Sequence, residues 1–517
     1  MSIQSVSIQP AVPAARPAST VNKARAGMAM SIATFVMAAA SGLQAVMYLG
    51  RFGTTPRTDG FFVAFAVYTT FGVFSQTLRL TCVPLLVEPR ARLTARTFAG
   101  ALALLGLPVL LATVPLAGPV SHLIAPGLGS TGRSVTAAAL PVLGIAMMLQ
   151  LWAAGGATLL AVRDRFMPIA GAYIAGAVAG LATFVGVAGQ AGVQTLGWSM
   201  LAMSVVTCAT MLAGVLASGG LGERTQPMTV RTLIRAVGLV LGGTPVYLAF
   251  NMLFVVTLAF VSKGAAGDST VLSYAYLFAS YLVAGTGTAL GMSRIPEMTR
   301  RARLAGSTLV EDTVPQGFRY AMLLVAPAMA VLITAGAPLI HVLVPKSLTT
   351  ADVHTLRSFT ALLVPWTVAA LLVNFLIPAL LAGGRSRLLN ALAVPLLAVH
   401  IAVTAMASAM FGVSGAVGAI VVAPAALAAI LLMAGAGAGS SAVLNRLTRH
   451  TAAFAGLAAA AFGVAWVATS PLSSAALAAL CTAGLGGAAY MAGLTLVARR
   501  EIGVLVGAIA ARRGSAG

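Results

Sequence analysis

The chain has 517 residues but only ten acidic ones. One of these, Asp59, stands in a polar elbow between two apolar stretches, Phe52-Gly53-Thr54-Thr55-Pro56-Arg57-Thr58-Asp59-Gly60-Phe61-Phe62. A carboxylate is costly to keep beside hydrocarbon, so at the end of a membrane helix it is either solvated or serves transport. Arg51 and Asp59 each abut their helix, which makes them candidates for pairing or gating; Arg57 fits an ordinary solvated loop. Other chemistry is sparse. Cys82, Cys208 and Cys481 are too scattered for a disulfide framework or a zinc site. There is no G-x-x-x-x-G-K-[ST], and the only lysines are Lys23, Lys263 and Lys346, so no P-loop exists to fuel transport with ATP. No catalytic constellation, metal site or cofactor is expected, and the chain does not read as an enzyme.

The elements that must position Asp59 follow from composition. With 59% hydrophobic residues, 8% charged and a mean hydropathy of +0.98, a soluble domain would expose large apolar patches. The expected fold is an all-α polytopic membrane protein. A span needs about 20 apolar residues, and fourteen such stretches begin near Gly27, Gly60, Phe98, Ser134, Pro168, Thr195, Ala236, Ser269, Arg319, Arg357, Leu388, Ala416, Ala452 and Ala475. A formal charge of +21 would suggest nucleic acid for a soluble chain, but here the cations alternate between loops. With the N-terminus inside, 24 of the 31 fall on the cytoplasmic side, six fall outside, and Arg79 lies within a helix. The positive-inside rule then places both termini in the cytoplasm. Nucleic acid is not an expected partner.

Pro119-x-x-His122-x-x-x-Pro126 recurs as Pro338-x-x-His341-x-x-x-Pro345, an offset of 219 residues. Arg90-Ala91-Arg92-Leu93 returns as Arg301-Ala302-Arg303-Leu304 at 211, and Arg163-Asp164-Arg165 as Arg385-Ser386-Arg387 at 222. Such echoes predict two six-helix lobes as parallel repeats. The expected division is a disordered cytoplasmic tail (1–26), an N-terminal lobe (27–218), a linker (219–235), a C-terminal lobe (236–437), two further helices (438–498) and a second tail (499–517). His122 and His341 are expected to cap short amphipathic segments, with proton sensing as the alternative.

A hydrophilic cavity between lobes requires helices with polar residues three and four apart. The second stretch carries Thr69, Gly72, Gln76 and Arg79, and the eighth carries Ser269, Ser273, Tyr276 and Ser280. The first carries Thr34, Ser41, Gln44 and Tyr48, and the seventh carries Thr244, Tyr247 and Asn251. The expected cavity and gate set is therefore Gln44, Arg51, Asp59, Thr69, Gln76, Arg79, Asn251, Ser273, Tyr276 and Ser280. Small polar residues also serve as interhelical glue. Arg79 lies about 27 Å along its helix from Phe61 at 1.5 Å per residue, where snorkelling to lipid phosphates competes with a cavity role.

The run Phe52-Gly53, then Thr58-Asp59-Gly60-Phe61-Phe62-Val63-Ala64-Phe65, resembles the signature of the MurJ/MviN lipid II flippases, members of the multidrug/oligosaccharidyl-lipid/polysaccharide exporter (MOP) superfamily. Phe74-Ser75-Gln76, Ala125-Pro126-Gly127 and Ala289-Leu290-Gly291 are also similar. The resemblance implies a flippase of the bacterial plasma membrane that moves an undecaprenyl-pyrophosphate-linked glycan, expected to be the peptidoglycan precursor lipid II, by alternating access. It identifies Asp59 with the family's acidic position. The family's cavity arginines have no clean match here, Gln44 and Thr69-Thr70-Phe71 standing in their regions. An uncompensated buried pyrophosphate would be strongly unfavourable. The competing expectations are a cation-coupled exporter of a small amphipathic molecule, another lipid-linked polysaccharide as cargo, and a scaffold for cell-wall synthesis or division proteins docking on 294–319. Coupling to the membrane potential or a cation gradient is expected, and plasma membrane lipids are expected partners.

Overall fold

The computed structural model describes residues 20–87, 93–221, 229–242, 244–288, 309–336 and 348–497. Among these residues there are seventeen α-helices and no strand, as lipid requires of an open chain whose backbone groups must be satisfied internally. The first half contains α1 (Thr20–Phe52), α2 (Pro56–Val87), α3 (Ala95–Thr113), α4 (Ala117–Ile124), α5 (Ser130–Val162), α6 (Phe166–Val187) and α7 (Thr195–Ala217). The next group contains α8 (Val230–Val240), α9 (Pro245–Val261), α10 (Asp268–Val283), α11 (Leu309–Thr334), α12 (Thr350–Leu362), α13 (Val364–Ala382), α14 (Ser386–Ala419) and α15 (Val422–Ala436). Two more, α16 (Ser440–Thr469) and α17 (Ala475–Val497), complete the described chain.

The protein is an all-α polytopic membrane protein. Nine of the described helical runs are long and apolar enough to cross a membrane, or ten if α8 and α9 form one bent span. The difference from fourteen is partly one of grouping, because the 48-residue run 422–469 holds two expected stretches. α10 is only 16 residues long before a π-helical turn at Ala284–Thr288.

Several boundaries differ from expectation. α1 begins at Thr20, inside the segment read as a disordered tail, because Lys23, Ala24, Arg25 and Ala26 are good helix formers that extend the span. The stretch from Ala236 is two helices, since Gly242 and Pro245 favour a break and Pro245 restarts the helix. The stretch from Arg357 divides at Leu363 into α12 and α13. Residues 1–19, 289–308, 337–347 and 498–517 lie outside the described residues, and with them the first echo's second copy, His341, and much of the 294–319 loop.

Helix pairings recur between halves. α1 packs on α6, α2 on α5, α3 on α5, and α5 on α7; correspondingly, α9 packs on α14, α10 on α12 and α13, α11 on α13, and α13 on α15. The Arg163 and Arg385 echo has a physical role in this frame. Arg163 donates to the carbonyls of Val215 (3.3 Å), Ser218 (2.9 Å) and Gly220 at the C-terminus of α7, and Arg385 donates to Ala434 at the end of α15. A cation there satisfies the last carbonyls and complements the helix dipole. α8 packs on α2 and α3 of the first group, and the remaining helices of the two groups meet where α2 packs on α9 and α10, and α4 on α9.

Candidate functional site

The elbow is built by local chemistry. Gly53 ends α1 with a positive φ of 61°, a conformation that favours glycine. Thr55 and Thr58 then form a reciprocal cap on α2: the Thr55 N–H donates to Thr58 Oγ1 (2.8 Å) and the Thr58 N–H donates to Thr55 Oγ1 (3.2 Å). One residue later, Asp59 is 1% exposed. The next residue, Gly60, permits close approach, since a Cβ there would fall on the Gly132 carbonyl of α5. Thr136 fastens that crossing by donating to the Gly60 carbonyl at 2.8 Å.

Asp59 serves the other half of the molecule. Its Oδ2 accepts the Gly267 N–H (2.6 Å), while Oδ1 accepts the Thr270 N–H (2.8 Å) and the Thr270 hydroxyl (2.7 Å). Gly267 is the N-cap of α10, with φ 99°, so Asp59 supplies from α2 the acceptors that the first turn of α10 lacks. A negative charge is also favourable at that end of the helix dipole. Asp59 lies just ahead of the apolar span. Burial pushes its pKa up, the Gly267 N–H, Thr270 hydroxyl and Thr270 N–H pull it down, and Asp268 adds an upward push; the net direction is upward.

Two more contacts join the halves at this end. Thr54 Oγ1 donates to Asp352 Oδ2 at 3.0 Å, and Asp352 also accepts from Thr349 as the cap of α12. The Gly127 N–H donates to Ser262 Oγ at 3.2 Å. Below them lies an aromatic layer in which Phe62 packs edge-on against Tyr48 (5.6 Å) and Tyr274 (5.1 Å). The Tyr274 hydroxyl reaches the Ala45 carbonyl at 3.0 Å.

Deeper in the bundle is a cavity of about 120 Å³ whose polar lining includes Ser41, Gln44, Tyr68, Thr69 and Tyr281, with Phe62 and Phe65 among its apolar walls. Its described lining carries no charged side chain. Hydroxyl and amide groups beside aromatic rings can hydrogen-bond and pack a neutral polar group.

Gln44 and Thr69 both line this cavity, Thr69 also donating to the Ala66 carbonyl of its own helix at 2.9 Å. Asn251, Ser273, Tyr276 and Ser280 do not line it. Asn251 donates to Tyr247 O, Ser273 to Ser269 O and Ser280 to Leu277 O, each bond internal to its own helix. Tyr276 stacks on Phe254 at 3.8 Å in the core. The walls come from α1, α2, α7 and α10, so α7 replaces the expected seventh stretch. Arg51 is exposed, its guanidinium beside Gly189, and it is not among the partners of Asp59. Gln76 and Arg79 lie on α2, but their side chains fall outside the described residues. His122 is exposed in the last turn of the short amphipathic α4.

Thr270 was absent from the expected set; it lies two residues beyond Asp268, in the first turn of α10. His400 was also missed. Fully buried on α14, it sits 2.9 Å from the Leu253 carbonyl and 3.0 Å from Thr257 Oγ1. A lone histidine gives no pattern by which a sequence could reveal it.

No protein-family model and no curated protein matches this sequence. Solved structures do match. A structure of the lipid II flippase MurJ in an inward closed conformation aligns with a TM-score of 0.70 at 13% identity, covering 92% of this chain and 99% of that one. An inward-facing multidrug resistance MATE family transporter of the MOP superfamily aligns at 0.59 with 14% identity, covering 82% and 99%. A Vibrio cholerae MATE transporter aligns at 0.56 with 13% identity, covering 81% and 97%. At these identities the likeness establishes a shared fold.

Proposed function

We propose that this chain, which shares its fold with lipid II flippase and MATE structures, is a transporter that moves its cargo by alternating access, with Asp59 holding the elbow end shut. The carrying observation is the cap that Asp59 gives α10 across the two halves, above a polar cavity. Opening the elbow end would transfer three donors and one carboxylate from each other to water, so the two states differ by a small set of exchangeable hydrogen bonds. The cargo is a lipid-linked glycan, with lipid II the leading candidate on the strength of the elbow signature and the alignment. The chain is not an enzyme, resides in the bacterial plasma membrane with both termini in the cytoplasm, and uses the membrane potential or a cation gradient. Cell-wall synthesis or division proteins are its proposed partners. In cells that depend on this chain alone, depleting it lowers lipid II exposed on the outer leaflet; unchanged exposure would contradict the lipid II reading.

A second reading, export of a small amphipathic molecule coupled to a cation, is favoured by the uncharged lining of the described cavity. It predicts accumulation of that molecule when the proton or sodium gradient is collapsed.

A further inference from the structure

α8 is a helix of eleven residues that joins the halves and is too short to cross a bilayer by itself. It opens with a reciprocal cap, in which the Thr232 N–H donates to Thr229 Oγ1 and the Thr229 N–H to Thr232 Oγ1, so its eleven residues are pinned as a helix from the first turn. One face is fixed. Ala236 and Val240 are buried with Leu233 and Val237 packed beside them, in a cluster that includes Leu78 of α2 and Phe98 of α3. Through this face α8 belongs to the first half, although it leads by a short break into α9 of the second.

The opposite face is open and two-sided. At 100° per residue, Val230 and Ile234 form an exposed apolar edge, 74% and 62% accessible. Arg231 and Arg235, also exposed, form the adjoining edge, and α8 contains no acidic residue. Among the described residues neither arginine forms an ion pair. In water such a face would leave two β-branched side chains solvated. At a bilayer boundary it fits both layers at once, the apolar edge among acyl chains and the cationic edge at the level of phosphates.

The geometry points to α8 as an interfacial helix that binds the headgroup phosphates of anionic phospholipids through Arg231 and Arg235, with Val230 and Ile234 seated among the acyl chains beside them. The apolar edge selects lipid over free phosphate, since inorganic phosphate gains nothing from valine and isoleucine. Two cations near an anionic surface correspond to an enrichment on the order of tenfold or more over a zwitterionic lipid. Because α8 is packed on α2 and α3, the bound lipids fix the first half in the bilayer while α9 remains attached through a break containing Gly242.

The test reads lipid contact and needs no transported substrate. Val230→Cys in the full chain, with Cys82, Cys208 and Cys481 replaced by Ala, carries a fluorophore. The protein is reconstituted in phosphatidylcholine vesicles containing a shallow acyl-chain nitroxide on either phosphatidylglycerol or phosphatidylcholine. The expected result is quenching by both probes, with about tenfold preference for phosphatidylglycerol that falls towards unity in R231Q/R235Q and weakens near 1 M salt, where screening acts within about 3 Å. Both arginines are exposed, so the double variant is expected to keep the melting temperature of its parent. Absence of quenching, equal quenching by both probes in the parent, or a preference that survives the double substitution would overturn the assignment.

Discussion

At the residue scale, the central fact is that Asp59 is a helix cap delivered from another helix. Its pH behaviour follows from the difference between two states. In the closed arrangement burial lifts the Asp59 pKa, whereas an opened elbow returns the carboxyl to water and to the ordinary value near 4. The state with the higher pKa binds protons more tightly and is favoured by acid. Closure therefore strengthens as pH falls through the raised value towards about 4, and weakens as pH rises through it. Half-buried Asp268 is also raised by burial and adds to the same slope. A distance distribution between labels at the exposed positions Arg57 and Ala265, recorded from pH 8 to pH 4, should shift towards the short population; a shift the other way would contradict this assignment. Gly60 makes a separate prediction. Gly60→Ala forces a methyl group against the Gly132 carbonyl, and overpacking of this kind costs about 1–3 kcal/mol. A lowered melting temperature in detergent would register it, and an unchanged one would show that α5 yields freely.

Elements carry the repeat. Arg163 and Arg385 close the C-termini of α7 and α15 in corresponding positions, so each substitution to Gln should cost about 1 kcal/mol by removing charged donors from helix-end carbonyls. Thermal unfolding of the single variants checks this, with a conservative Arg163→Lys expected to recover only part of the loss because lysine lacks the planar fork. These arginines were visible in the sequence as an echo, but their purpose was not, since a carbonyl partner leaves no mark on residue identity. The same limit explains the cavity. The stripes on α1 and α2 include Gln44 and Thr69, which line the cavity, because polar spacing shows which face is polar. It does not show whether that face meets a void, a neighbouring helix or its own backbone, and for Ser273 and Ser280 the backbone won. The break between α8 and α9 was hidden by continuous apolarity, although Gly242 and Pro245 signalled it.

For the whole molecule, apolar content and loop charges were enough to indicate an all-α membrane protein. The contact between Asp59 and Thr270 was not legible, because a repeat offset shows which segments are alike and carries no information about which of them touch. In the proposed alternating-access cycle, closure at the elbow end would rest on the contacts of Asp59, of Thr54 with Asp352, and of Gly127 with Ser262. Each lies at the boundary between halves, so weakening them should change which end is open more than whether the chain folds. The most direct measurement is the distance between spin labels at Arg57→Cys and Ala265→Cys, compared between the parent and Asp59→Ala in lipid. Asp59→Ala leaves two backbone N–H groups and one hydroxyl at α10 without acceptors in the closed state, a loss of about 2 kcal/mol or more, equivalent to a population change of about thirtyfold. The account predicts a short distance in the parent and a substantial long-distance population in the variant. Identical distributions would contradict the claim that Asp59 holds this end shut.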